Sequence, residues 1–154
     1  MKLTPKQQAA LARLQKLKAA QSSFEGFVRL MQPEWQIPQF HLDLIETLDQ
    51  FGKDKFKTRN LLVTMPPRHS KSTYCTQLFP AWFMLRSPSR FIMSSSFNTE
   101  LAKGFGRGVR EIFANPQAQA AFPEARLAKH TRSATEWATD AGGKYFGVGL
   151  NGTT

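Results

Sequence analysis

Cysteine is almost absent from this 154-residue chain. Cys75 stands alone, which excludes an internal disulfide and suits a reducing compartment. Long apolar runs are missing too. None approaches the roughly 18 residues of a membrane span, and the Lys- and Gln-rich start lacks the apolar core of a signal peptide. The expectation is a soluble, cytoplasmic protein with no membrane partner. Histidine is sparse, and His41, His69 and His130 lie too far apart to form a metal site by spacing. Acidic residues number 11 against 21 Lys and Arg, leaving a net charge of +10. That surplus points to a polyanion, nucleic acid well ahead of an anionic membrane.

What is present suffices for one domain or part of one: 41% apolar residues and 13 Phe. Three basic clusters favour contact with DNA: Lys2, Lys6, Arg13, Lys16 and Lys18; Lys53, Lys55, Lys57 and Arg59; Lys103, Arg107 and Arg110. Taken singly, each also reads as a solvated surface.

Thr4, Pro5 and Gln7 form a helix start with a capping box, and Leu11, Leu14 and Leu17 predict one apolar stripe running to about Ala20. Phe24, Phe27, Val28, Leu30 and Met31 make a second apolar cluster, ended by Pro33. After the connector Trp35–Pro38, a helix is expected with Phe40, Leu44, Leu48 and Phe51 on one face and Gly52 at its end. Lys53 to Arg59 reads as a basic turn, 60–65 as a short strand, 66–71 as a loop, and Ser72 as the start of a helix that Pro80 should kink. A buried strand is expected over Arg90–Ser95, and a helix over Asn98–Ala114 with Leu101, Phe105, Val109 and Ile112 inward. Gly104, Gly106 and Gly108 weaken that helix, so some of them should have a packing reason. Thr135–Thr139, the turn Asp140–Gly143 and Lys144–Leu150 read as a β-hairpin. The expected fold class is α/β: a parallel sheet flanked by helices, incomplete, with an N-terminal helical segment (1–33) and a C-terminal β-hairpin.

The chemistry concentrates in Met65-Pro66-Pro67-Arg68-His69-Ser70-Lys71-Ser72-Thr73. A strand entering a tight turn that delivers a Lys-Ser pair to a helix start is the layout of a phosphate-binding loop. Backbone N–H groups hold the anion, the lysine neutralises terminal phosphates, and a hydroxyl joins Mg²⁺. The general pattern G-x-x-x-x-G-K-[ST] wants glycine where this chain has Met65 and Ser70, so the loop lacks the residues that enter φ > 0 most easily. Pro66 and Pro67 contribute no N–H, leaving the amides from Arg68 onward to bind. Lys71 is the leading catalytic candidate. Ser72 reads either as the Mg²⁺ hydroxyl or as a helix N-cap, and Arg68 either as a γ-phosphate fork or as a solvent-facing charge. His69, Ser70 and Thr73 complete the nucleotide-binding set. Trp35 and Phe40 are read first as core aromatics, and Phe40-His41 also as a base-contacting pair. Cys75 reads as a small buried residue. Ser94–Ser96 reads either as a ligand contact or as a cap for the next helix. Gly104–Gly108 does not fit a dinucleotide fingerprint.

These residues together resemble the N-terminal ATPase domain of tailed-phage terminase large subunits. The likeness runs through Trp35…Pro38…Phe40-His41, Met65–Ser72, Phe79-Pro80-Ala81-Trp82, Ser94–Phe97, Leu101-Ala102, Phe105-Gly106-Arg107, Val109-Arg110 and Trp137…Gly142-Gly143…Tyr145-Phe146…Gly149…Gly152. It spans roughly 33–154. It implies a motor that couples ATP hydrolysis to translocation of double-stranded DNA into a capsid. It also implies Mg²⁺ and ATP as cofactors, portal and terminase small subunit as partners, and a homo-oligomeric ring at full length. On this resemblance Lys71 and Ser72 take the ATP and Mg²⁺ positions, and Arg68 senses the γ-phosphate. Phe40-His41 falls on an adenine-reading aromatic-Gln pair, with His41 in place of the Gln. The family continues after its hairpin into an apolar strand bearing the Walker B acids and then a nuclease domain, neither of which precedes Thr154. The expectation is therefore the front part of such a protein (34–154 as the ATPase part), binding nucleotide without turning it over. Two alternatives stand beside it: an inactive prophage remnant with a DNA-binding or scaffold role, and a different P-loop enzyme such as a helicase-like ATPase.

Overall fold

The computed structural model describes residues 3–129 and 133–150. Within them the chain is mixed α/β, with six α-helices and one small three-stranded mixed sheet. Gly152 and His130, which belonged to sequence readings, lie outside the described residues.

Helix α1 (Pro5–Ser22) starts as expected. The Thr4 hydroxyl accepts the Gln7 N–H at 3.3 Å, and the Gln7 side chain accepts the Thr4 N–H at 2.9 Å. The leucine stripe behaves differently. Leu11 and Leu14 are 44% and 48% exposed, and only Ala20 is buried on this helix. The apolar spacing is there, but among the described residues only the last turn is deeply covered. α2 (Phe24–Met31) is the opposite case, with Phe24, Phe27, Val28 and Leu30 buried. Its free N-terminus is closed from α3 (Gln39–Gly52), where Asp49 accepts the Phe24 N–H at 2.7 Å while pairing with Lys53 at 2.6 Å. The core centres on Trp82, with the Phe24 ring 5.3 Å and the Phe79 ring 6.1 Å away.

Residues 60–65, expected as a strand, have no regular secondary structure and join no sheet among the described residues. Their side chains still alternate: Leu61, Val63 and Met65 pack on the core while Leu62 faces out. The period of two was real; the partner strand was an assumption. Beyond the loop, helical geometry begins at Lys71 and runs to the end of α4 (Phe79–Arg86). Over Thr73–Leu78 the hydrogen bonds widen to the i→i+5 pattern, as in Phe79 N–H to Tyr74 O. Pro80 has no N–H to give and its ring would crowd the Thr76 carbonyl. A widened stretch before it resolves the conflict that the sequence reading assigned to a kink.

Strand β1 (Phe91–Ser96) pairs in parallel with β3 (Lys144–Gly149), which pairs antiparallel with β2 (Glu136–Ala138), giving the order β1-β3-β2. The expected hairpin is present. Gly142, at φ +87°, turns its corner, and Thr139 accepts the Gly143 N–H at 3.0 Å. β1 is not buried as expected: Phe91 and Met93 are 67% and 76% exposed, because only the other face is covered by a helix. That helix is α5 (Thr99–Ala114), capped by Asn98, whose side chain accepts the Leu101 N–H at 2.8 Å. It buries Ala102, Gly106, Val109 and Phe113, whereas Leu101 faces out and Phe105 and Ile112 are half-buried. Val109 is inward as expected, while Leu101 and Phe105 give way to Ala102 and Gly106. Gly106 lets the helix approach closely, since a Cβ there would come within 2.1 Å of the Ala134 carbonyl oxygen. α6 (Pro116–Ala121) completes the helices.

A groove of about 930 Å³ separates the basic turn from β1. Helix residues Thr76, Phe79 and Phe83 line it, with Phe56, Phe91 and Met93 at its sides. β1 pairs only with β3, so its outer edge is open among the described residues.

Candidate functional site

The loop 66–70 sits between the alternating segment 60–65 and the helix that begins at Lys71. Its backbone carries the main finding. Arg68 and Ser70 stand at φ +62° and +56°, left-handed conformations that residues with a Cβ avoid by roughly 1–2 kcal/mol each. Ser70 occupies the position where the general phosphate-loop pattern has its second glycine. The chain therefore adopts the glycine conformation there without the glycine.

A turn over Pro67 and Arg68 faces the His69 N–H toward the Pro66 carbonyl, while the N–H groups of Arg68 and Ser70 make no hydrogen bond within the described residues. Unpaired amides in a turn that leads into a helix carry positive partial charge that favours an anion. The Tyr74 N–H bonds to the Ser70 carbonyl at 3.1 Å, so the helix takes over at once after the loop.

Lys71 is half-buried at the start of the helix and lines a hollow of about 330 Å³ with Ser72, Leu61, Val63, Cys75 and Thr76. It forms no ion pair among the described residues. Ser72 is exposed, and its side chain makes no capping bond, so the N-cap alternative is not realised. Instead its carbonyl accepts the Thr76 hydroxyl at 2.5 Å. Thr73 is half-buried where the wide turns begin. Cys75 is half-buried rather than buried; burial raises its thiol pKa, with Lys71 pulling the other way.

Phe40 is 47% exposed and is not a core residue. It packs beside the loop, its ring 4.2 Å from that of His41 and 5.9 Å from that of His69. Trp35 is half-buried with its ring 5.8 Å from Tyr74, so its core reading holds in part. His41 points into the loop. Its Nε2–H donates to the His69 carbonyl at 3.0 Å, and its ring lies 4.8 Å from Tyr74. The His69 Nδ1–H donates to the Pro67 carbonyl at 2.9 Å. The sequence reading had both histidines in the nucleotide set but missed that they bind the loop's own carbonyls. The available signal was His41 one turn past Pro38, at the start of a helix with a polar exposed face.

Ser94–Ser96 belong to β1 itself, and Asn98 supplies the cap of α5. Glu136 is exposed on β2, the sheet edge farthest from β1, and Asp140 is exposed in the hairpin turn. Among the described residues no three His, Cys, Asp or Glu side chains gather in a way that could hold a metal ion. No helix of the described residues is long and apolar enough to cross a membrane. The chain matches no protein-family model, no curated protein and no solved structure.

Proposed function

We propose that this chain is a nucleotide-binding unit of the terminase large-subunit kind, in which a phosphate loop at 65–72 takes MgATP to drive packaging of double-stranded DNA. The observation that carries this reading is the left-handed Ser70, followed directly by Lys71 at the first helical turn. A serine held at φ +56° in the glycine position, with its own N–H unpaired among the described residues, is hard to account for as an ordinary surface turn. In this reading the loop amides and Lys71 hold the β- and γ-phosphates. Arg68 approaches the γ-phosphate with its planar fork, and Ser72 contributes a hydroxyl to Mg²⁺. Bound Mg²⁺ would supply charge neutralisation at the terminal phosphates.

The net charge of +10 supports DNA as the second partner. The open edge of β1, across the groove from the basic turn, could seat the apolar strand that the resemblance places after the hairpin. Portal, small subunit and ring assembly come with the same reading. Glu136 and Asp140, both exposed, are not placed in the reading as catalytic acids, so the chain is proposed to bind ATP without hydrolysing it.

Isothermal calorimetry with MgATP on the wild type and on Lys71→Ala tests this. Binding by the wild type alone, with no phosphate release, supports the reading. Absence of binding by the wild type overturns it, and salt-sensitive DNA binding indifferent to ATP would then favour an inactive DNA-binding remnant.

A further inference from the structure

We propose that His41 is the positioning residue that allows a glycine-free loop to keep the Ser70 amide turned toward an anion, an inference that rests on the nucleotide-binding reading above. The His69–Ser70 peptide leads into Ser70, which is left-handed at φ +56°. Rotation of that peptide changes the φ of Ser70, so holding the peptide holds Ser70 in the left-handed region. A trans peptide carries its C=O and N–H on opposite sides, so holding one aims the other. His41 Nε2–H holds the His69 carbonyl at 3.0 Å from the α3 side, and this turns the Ser70 N–H away from α3. A flipped peptide would instead present a carbonyl oxygen to the anion and withdraw that amide.

The anchor is itself rigid. The His41 ring packs 4.8 Å from buried Tyr74 and 4.2 Å from Phe40, and His69 is tied back to the Pro67 carbonyl at 2.9 Å. In a loop with glycines the backbone would adopt these angles without help. Here a side chain from a neighbouring helix holds the one at Ser70, and it is the third residue of α3, where the resemblance expects a base-reading glutamine.

The test separates donor from ring. His41→Phe keeps an aromatic surface against Tyr74 but removes the N–H; His41→Gln loses the ring but keeps an N–H of similar reach. MgATP affinity and the backbone NMR shifts of the His69 carbonyl carbon and the Ser70 amide are measured on both, beside wild type and Lys71→Ala, with thermal unfolding as a control on folding. His41→Phe should weaken MgATP binding about tenfold, the scale of a lost supporting hydrogen bond at a ligand site. It should also shift the His69 carbonyl and Ser70 amide signals, and His41→Gln should recover most of both effects. Lys71→Ala should lose nucleotide binding while those two signals stay at their wild-type positions. If His41→Phe leaves both signals at their wild-type positions, the proposal is overturned. If wild type binds no MgATP, the nucleotide reading fails by itself, and the shift comparison still decides whether His41 holds the peptide.

Discussion

The indole N–H of Trp82 donates to the carbonyl of Ala20 at 3.1 Å, joining two fully buried residues from distant parts of the chain. The bond satisfies a carbonyl in the last turn of α1 that has no water to turn to, and it ties that turn to the aromatic centre of the core. Trp82→Phe keeps most of the apolar surface but leaves the Ala20 carbonyl unpaired. It should lower stability by about 1–3 kcal/mol in urea unfolding. A loss indistinguishable from zero would mean that α1 is held by other contacts.

Gly104 and Gly106 lie two residues apart on α5 and should respond oppositely to alanine. A Cβ at 104 meets nothing within 4 Å, so Gly104→Ala should stabilise by about 0.5–1 kcal/mol through helix propensity. A Cβ at 106 would strike the Ala134 carbonyl at 2.1 Å, and Gly106→Ala should destabilise by about 1–3 kcal/mol or more. Thermal unfolding of the pair reads the difference; equal shifts would contradict the packing of α5 on this sheet.

The edge of β1 that is open among the described residues, with Phe91 and Met93 exposed, is a template for strand pairing between molecules. The wild type should self-associate as its concentration rises, and Met93→Lys should suppress this without changing the melting temperature. Sedimentation velocity on the two proteins checks it. A wild type as monodisperse as Met93→Lys would show that this edge is protected.

Both tyrosines of the chain, Tyr74 and Tyr145, are buried, and burial raises each hydroxyl pKa above the usual 10.0, with Ser94 opposing at Tyr145. Above pH 10 the unfolded chain loses these protons while the folded chain keeps them, so the unfolded state gains and stability falls with rising pH. The phenolate absorbance near 295 nm should therefore rise together with the loss of far-UV circular dichroism. Ionisation at the ordinary pKa in a still-folded protein would contradict the burial.

Several features were legible because their causes are local. The Thr4–Gln7 capping box, the Asn98 helix start, the Gly142 turn and the phenylalanine-rich α2 each follow from residues within a few positions of one another. The lysine-serine pair at a helix start was visible in the same way. The left-handed backbone of Arg68 and Ser70 was not, since neither residue prefers it, and neither was the grip of His41 on the His69 carbonyl.

By itself the sequence determined where helices begin, where turns fall, that a positive charge dominates and that a phosphate-loop pattern follows an alternating apolar segment. Such signals depend on dihedral preference and on hydrogen bonds to near neighbours. The tertiary structure alone decided that 60–65 pairs with no strand among the described residues, which face of α5 turns inward and that Ser70 stands in a left-handed conformation. Those outcomes depend on partners far along the chain, such as Ala134 against Gly106 and His41 against His69, whose contacts outweigh local preference only once the fold has brought them together.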